Sequence, residues 1–410
     1  MSSRVVRKAA IIALHNMTYS SRVFKQADAL HAAGFDVTLV GIVARSSDLH
    51  REEHDFGRIV RVRTTKNLHT ERMATEGSSG GQPEPSPSFL AGVRMALRRL
   101  RENYLLAKAA IATHPDVVVA SDLTAWAAGY WVSRRAKTPL MLDARDLVFD
   151  SGREHPAVYD WMLRRLERFA IQRADAVTTV SPQFAAILTA RYPKAPAVVA
   201  IYSGAFECVK EPQPIHSPLR LFFQGNFVPN RRIDELIRAV AGLGDVDVTL
   251  SLQGFGAEEE RLRLLVLDLN AEERIEFVPR CDARDVVKCA SNYDVGVINY
   301  RGDTLNLSVS APIKLLDYMG AGLAVLASDL PGIREIVEKE GCGVLFEPTG
   351  PGAIADTIRK LVQDIDAVAE MKANSVRACP QYSAREQGRR FAEVVDSVLA
   401  DRKSMGGQSS

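Results

Sequence analysis

Short apolar runs alternate with amphipathic stretches along almost the whole chain, and this rhythm is played twice. Runs such as DVVVA (116–120) and AVTTV (176–180) are β-branched and nearly unbroken, as strands covered on both faces must be. Strands of that kind separated by helical stretches make βαβ units around a parallel sheet. In the first half the pattern predicts strands over 8–14, 36–43, 58–64, 116–120, 139–143, 176–180 and 197–202. Helices are predicted over 21–33, 89–112, 123–136, 156–174 and 182–191. Residues 203–218 carry three prolines and no period, and read as a linker. The alternation then restarts. Strands are predicted over 219–224, 246–253, 275–278, 294–298, 323–327 and 343–346, with helices near 232–242, 258–269, 283–290, 312–320, 332–339 and 352–374, and a last one over 383–400. The expected fold class is α/β, with two Rossmann-like doubly wound domains, 1–204 and 205–382. Open sheets of this kind bind ligands outside the carboxyl ends of their strands, in the cleft which two such domains leave.

Composition removes several function classes. The 52 Lys and Arg against 50 Asp and Glu leave a net charge of +2, which gives no support to a nucleic-acid partner. Five cysteines (Cys208, Cys281, Cys289, Cys342, Cys379) are scattered and lack a CxxC pair, so unpaired thiols in a reducing compartment are expected. AAIIAL near the start is too short for a signal segment and reads as a first strand. No apolar run reaches the length of a membrane span. The expected location is cytoplasmic, with the inner face of the membrane as an alternative.

Missing motifs narrow the choice further. There is no GxGxxG after a strand, no GxxxxGK[ST], no GxSxG and no HExxH. Asp245/Asp247 and Asp364/Asp366 have DxD spacing but read as solvated carboxylates, so neither a metal site nor a cofactor is expected. The most informative segment is SVSAPIKLLDYMGAGLAVLASDLPGIREIV (308–337). Pro312 fits a first helical position, with Ser310 or Ala311 as the cap. Helix N-termini present unpaired amides to anions, and Lys314 falls in the first turn, where the dipole opposes a cation unless an anion is bound. Asp317, one turn on, has the reach to accept both hydroxyls of a ribose. A second helix start, FVPNRRIDELI (227–237), brings Arg231 and Arg232 into a first turn capped by Asn230, and arginine suits bidentate phosphate binding. Asp234 and Glu235 already offset that charge.

These segments resemble glycosyltransferase family 4, retaining enzymes of the GT-B fold. The carrying motifs are QGNFVPNRRIDELI (224–237), LQGFG (252–256), RIEFVPRCDARDVV (274–287), YDVGVINY (293–300) and PIKLLDYMGAGLAVLASDLPGIREIV (312–337). In the first half SRVFKQADALHAAGFDVTLVG (21–41), DVVVASDLTAWAAG (116–129), PLMLDARDLVFDSG (139–152) and LERFAIQRADAVTTVSPQF (166–184) follow in the family's order. The resemblance covers about residues 5–400 and implies that the last helix crosses back onto the N-terminal domain.

The resemblance implies transfer of a sugar from a nucleoside diphosphate donor, a UDP-sugar by preference, to an acceptor hydroxyl with retention and without a metal. It puts Asp317 on the ribose, Arg231 and Lys314 on the diphosphate, and Arg280 and Cys281, with Gly254 and Gly256, around the base. Val309 stands where the family carries an acid, so that role is absent or passes to the backbone near Ser308–Ser310. Asn226 stands where an arginine is usual, and Asp143, Arg145 and Asp146 replace a histidine region as contacts to sugar or acceptor. Arg22 is a further phosphate candidate. A non-catalytic nucleotide-sugar-binding partner subunit and a nucleotide-sugar 2-epimerase are the alternatives.

Two segments point elsewhere. In 89–110, Leu90, Val93, Leu97, Leu100 and Tyr104 fall at helical spacing among Arg94, Arg98, Arg99 and Arg101, which fits either a core stripe or contact with anionic lipid beside a lipid-linked acceptor. The Gly-, Ser- and Pro-rich stretch 76–88 reads as a surface loop, either an insertion or a lid.

Overall fold

The computed structural model describes residues 6–17, 20–43, 48–64, 89–148, 157–282 and 284–406. The stretch 76–88 lies outside them. The chain divides into two compact units, 1–201 with 388–410, and 202–387.

The first unit is built on β1 (Arg7–Ile12), α1 (Ser21–Ala32), β2 (Phe35–Ile42), β3 (Arg51–His54), β4 (Gly57–Val62), α2 (Phe89–Ile111), β5 (Val117–Ser121), α3 (Trp126–Ala136), β6 (Leu140–Ala144), α4 (Ala157–Arg173), β7 (Ala176–Thr179), α5 (Pro182–Arg191) and β8 (Val198–Ala200). Its sheet runs in the order β3-β4-β2-β1-β5-β6-β7-β8. Pairing is parallel except for β3 on β4. Strand β3 (REEH) was not expected, because it is short, polar and at the sheet edge, where no apolar period is needed. The chain order reverses on either side of β1, which sets a switch point at the carboxyl ends of β1 and β5.

The second unit contains β9 (Leu219–Asn226), α6 (Ile233–Ala241), β10 (Val248–Phe255), α7 (Glu259–Asp268), β11 (Ile275–Val278), α8 (Val286–Ala290), β12 (Val295–Ile298), α9 (Leu305–Val309), α10 (Ile313–Gly320), β13 (Ala324–Ser328), α11 (Pro331–Glu340), β14 (Gly343–Phe346), α12 (Pro351–Gln363) and α13 (Ile365–Tyr382). Its sheet is wholly parallel, in the order β11-β10-β9-β12-β13-β14. Successive residues of β9 face opposite sides, so Phe222 joins the core under α10 while Leu221 and Phe223 join the core under α6. All three are fully buried, and each such side chain contributes about 1.5–3 kcal/mol. Here the order reverses between β9 and β12.

The single helix expected over 352–374 is two. Asp364 ends α12, and its side chain accepts the amide of Ala367 to start α13. Helix α13 runs on through Pro380 to Tyr382. The final helix, α14 (Ala384–Gly406), places Phe391 and Val395 in the core of the first unit with Leu30, Val37 and Met141.

The cysteines correct an expectation. Cys208 and Cys379 form a disulfide with a Cα–Cα distance of 6.0 Å. The partners lie 171 residues apart, a pairing that spacing cannot announce. No helix among the described residues is long and apolar enough to cross a membrane.

Candidate functional site

In the second unit the switch point gathers side chains from three places. Strand β9 ends in Phe223-Gln224-Gly225-Asn226, β12 is followed by Asn299-Tyr300, and α10 starts beside both. Tyr300 is fixed through its backbone, whose amide donates to Ser328 Oγ at 2.9 Å. Tyr318 of α10 accepts the amide of Gln224 at 3.0 Å and donates to the Val297 carbonyl at 3.3 Å, tying the helix across the two central strands.

Lys314 turns inward from the first turn of α10. Its Nζ lies 4.2 Å from the ring centre of Phe223 and 5.3 Å from that of Tyr300. On the other side of the contact, the Arg231 guanidinium stacks over Tyr300 at 4.2 Å. Two cations therefore share one aromatic ring. Lys314 is 9% exposed, yet its Nζ is buried without a hydrogen-bond partner, and so is Nη1 of Arg231. Burial drives the Lys314 amine well below its ordinary range, Arg231 adds to this, and Asp317 opposes it. Cation–π contact offsets part of that cost, and the Lys314 nitrogen is left buried with its hydrogen-bonding capacity unspent.

Glycines open the approach. Gly225 has φ +150°, and a Cβ there would come within 2.9 Å of Lys314 Nζ. A Cβ at Gly254, its neighbour on β10, would strike the Gly225 carbonyl at 1.9 Å.

The other expected residues of this unit are spread along the same sheet edge. Asp317 is buried on α10, 7% exposed. At the ends of β10 and β11, Arg280 stacks on the exposed Phe255 ring at 3.9 Å. Cys281 donates to Gln253 Oε1 at 3.3 Å, and burial with the nearby Cys289 pushes its thiol up to about 12. Gly256 follows Phe255 with φ +155°, and Asn226 is exposed at the end of β9.

Three local expectations are corrected. Pro312 is itself the cap, and α10 begins at Ile313, so the unpaired amides start one residue later. Asn230 caps nothing: residues 229–231 form a 3-10 turn, Arg232 sits in the left-handed region at φ 48°, and its guanidinium is bonded to Glu235. Arg231 alone remains available. The amides of Ser308 and Ser310 donate to Thr304 and Asn306 carbonyls within α9, so that backbone is already spent.

In the first unit the correction is larger. Arg22 Nε and Nη2 donate to Asp143 at 2.8 and 2.7 Å, and Nη1 donates to the Ile201 carbonyl at 2.7 Å. Gln26 and Thr178 also donate to Asp143, at 3.0 and 2.8 Å. Burial raises the Asp143 pKa, but the Arg22 charge and hydrogen bonds, with Arg145, outweigh it and hold the carboxyl low. Arg22 is 6% exposed and Asp143 fully buried, its oxygens taken by protein donors, so this pair braces the sheet. Arg145 and Asp146, next along the chain, are half-buried, and Arg145 Nε has no hydrogen-bond partner.

His15, three residues beyond β1, was missed. Its Nδ1 accepts the amide of Met17 at 3.1 Å. Burial lowers its pKa to about 4, and the Arg145 charge helps, so the ring is neutral at pH 7. The signal was a lone histidine in a loop, which sequence cannot separate from an incidental one. Arg145→Met should raise the His15 pKa part of the way toward 6.5, read by NMR titration of the ring.

Among the described residues no group of three His, Cys, Asp or Glu side chains is placed to hold a metal. Asp245 pairs instead with Arg359, and Asp364 serves as a helix cap.

Known proteins share this organisation. The family model for "Glycosyl transferase 4-like domain" matches residues 19–204, and that for "Glycosyl transferases group 1" matches 208–377. The chain is 22% identical over 303 residues to N-acetyl-alpha-D-glucosaminyl L-malate synthase of Bacillus anthracis, spanning 71% of this chain and 76% of that protein. Sucrose-phosphate synthase from Thermosynechococcus elongatus superposes with a TM-score of 0.75 at 18% identity, over 96% of this chain and 100% of the other. HepE from Anabaena in complex with UDP-glucose does so with a TM-score of 0.65 at 16% identity, over 95% and 99%. With both halves matched in order on a GT-B fold, the chain belongs to the glycosyltransferase 4-like family.

Proposed function

We propose that the protein moves a hexosyl group from a nucleoside diphosphate-sugar to an acceptor hydroxyl, with retention and without a metal. The observation that carries this reading is the pair of basic side chains, buried Lys314 and half-buried Arg231, each with a buried unspent nitrogen beside Tyr300. A diphosphate supplies the acceptors they lack. Uridine is favoured because HepE of Anabaena and the pneumococcal O-GlcNAc transferase GtfA are both found with UDP.

In this reading Asp317 accepts the ribose hydroxyls, and the edge formed by Gly254, Gly256, Arg280 and Cys281 holds the base. The C1–O bond to the diphosphate breaks and its electron pair stays on the phosphate oxygen, whose new charge Lys314 and Arg231 stabilise in place. The acceptor oxygen bonds to C1, and its proton passes to that same phosphate oxygen. Asp143 is engaged by Arg22, Gln26 and Thr178, which supports a route that does not use it as a covalent nucleophile. The acceptor hydroxyl belongs to a cell-surface glycan, a glycolipid or another small glycosylated product.

Arg231→Ala should weaken UDP binding about 10- to 100-fold in calorimetry with little change in Tm. Asp317→Ala should weaken UDP more than inorganic pyrophosphate, because the ribose contact is lost and the phosphate contact kept. Undiminished UDP affinity in both variants rejects the donor site. Proton NMR of the product, read at the anomeric coupling, tests retention separately.

A further inference from the structure

Helices α2, α3 and α4 pack together on the first unit and leave an unusual face. Tyr104 of α2 meets Trp131 of α3 edge-on at 6.1 Å, and Tyr130 of α3 meets Phe169 of α4 at 5.5 Å. The rings thus join the three helices. Around them Leu97, Leu100, Tyr104 and Trp161 are 50% to 61% exposed, and Phe169 is 39% exposed.

Charge on this face has one sign. The three helices carry eleven Arg and Lys side chains and three acids. Glu102 and Glu167 are buried, and Asp160 is bonded to Arg164 at 2.7 Å. Every exposed charged side chain described on these helices is therefore basic. Arg165 lies over Trp161 at 5.4 Å and Arg173 over Phe169 at 5.7 Å, so cation and ring are presented together.

We propose that this three-helix face docks on an anionic phospholipid surface. Aromatic and aliphatic side chains rimmed by Arg and Lys match the boundary between acyl chains and headgroups, where rings enter and cations meet phosphate. The expected stripe in 89–110 is half of the device, and α4, with Trp161 and Phe169, supplies the other half. This inference is independent of the donor site.

The test is flotation of the full chain with vesicles of phosphatidylcholine alone, or mixed with phosphatidylglycerol, at low salt. The protein should float with the mixed vesicles and stay behind with the neutral ones. Trp161→Ser and Leu97→Gln remove exposed side chains, and Arg101→Glu with Arg165→Glu reverses charge. Each should lower vesicle partitioning roughly tenfold or more, while circular dichroism and Tm stay as in the parent. Failure to bind mixed vesicles, or equal binding by these folded variants, overturns the proposal. So does concentration-dependent self-association that Trp161→Ser abolishes when no vesicle binding is seen, since the face then belongs to a second copy.

Discussion

Lys314→Met should cost the protein its donor and make it more stable. On the binding side, an ammonium meeting a diphosphate in a site screened from water is worth about 1.5–3 kcal/mol, or a ten- to hundredfold change in Kd. Methionine fills the space over Phe223 and keeps the packing, so the loss is electrostatic. On the stability side, burial and Arg231 hold the Lys314 pKa well below its usual 10.5. The unfolded chain then binds more protons than the folded one between the two values, and stability rises with pH across that window. Methionine removes both the desolvation cost and this slope. Its Tm at neutral pH should exceed the parent's by about 2–4 °C per kcal/mol recovered in a unit of this size. Calorimetric titration with UDP and thermal melts at several pH values check both halves.

The opposite result is expected at Asp143. Asp143→Asn leaves Arg22 buried with a charge and no counter-ion, and the first unit should lose about 3–5 kcal/mol in denaturant unfolding. The double change Arg22→Met with Asp143→Leu should cost less than the single one, because no charge is stranded. Since the folded Asp143 pKa is lowered, the parent's stabilisation is complete above the unfolded value near 3.8 and drains away as pH falls through the folded pKa. That acid-side slope should disappear in both variants. Activity lost in step with folding would place the pair in the scaffold.

The two predictions also mark what sequence could reveal. Lys314 was legible because a cation in the first turn of a helix contradicts the dipole, and the contradiction is local. The pairing of Asp143 was not legible because its partner lies 121 residues away, and only the order of strands brings α1 against the end of β6. The same holds for Tyr300 and Phe223. They frame the anion site, but β9 and β12 become neighbours only once the sheet reverses, so a motif scan saw two unrelated aromatics. Apart from the polar edge strand β3, strand positions were readable because an unbroken β-branched run has few other uses. Caps were not. Pro312 and Arg232 moved the helix starts by a residue, and at a phosphate site one residue decides which amides point at the ligand.

The last helix has a consequence for biosynthesis. Phe391 and Val395 are fully buried in the first unit, although the whole of the second unit, 202–387, separates them along the chain from the sheet they cover. The sheet that starts at Arg7 therefore waits, with part of its apolar surface wet, until the second unit and the helix after it have been translated. A nascent chain arrested before residue 388 should bind hydrophobic dyes and chaperones through that open patch, and release them once the tail is added.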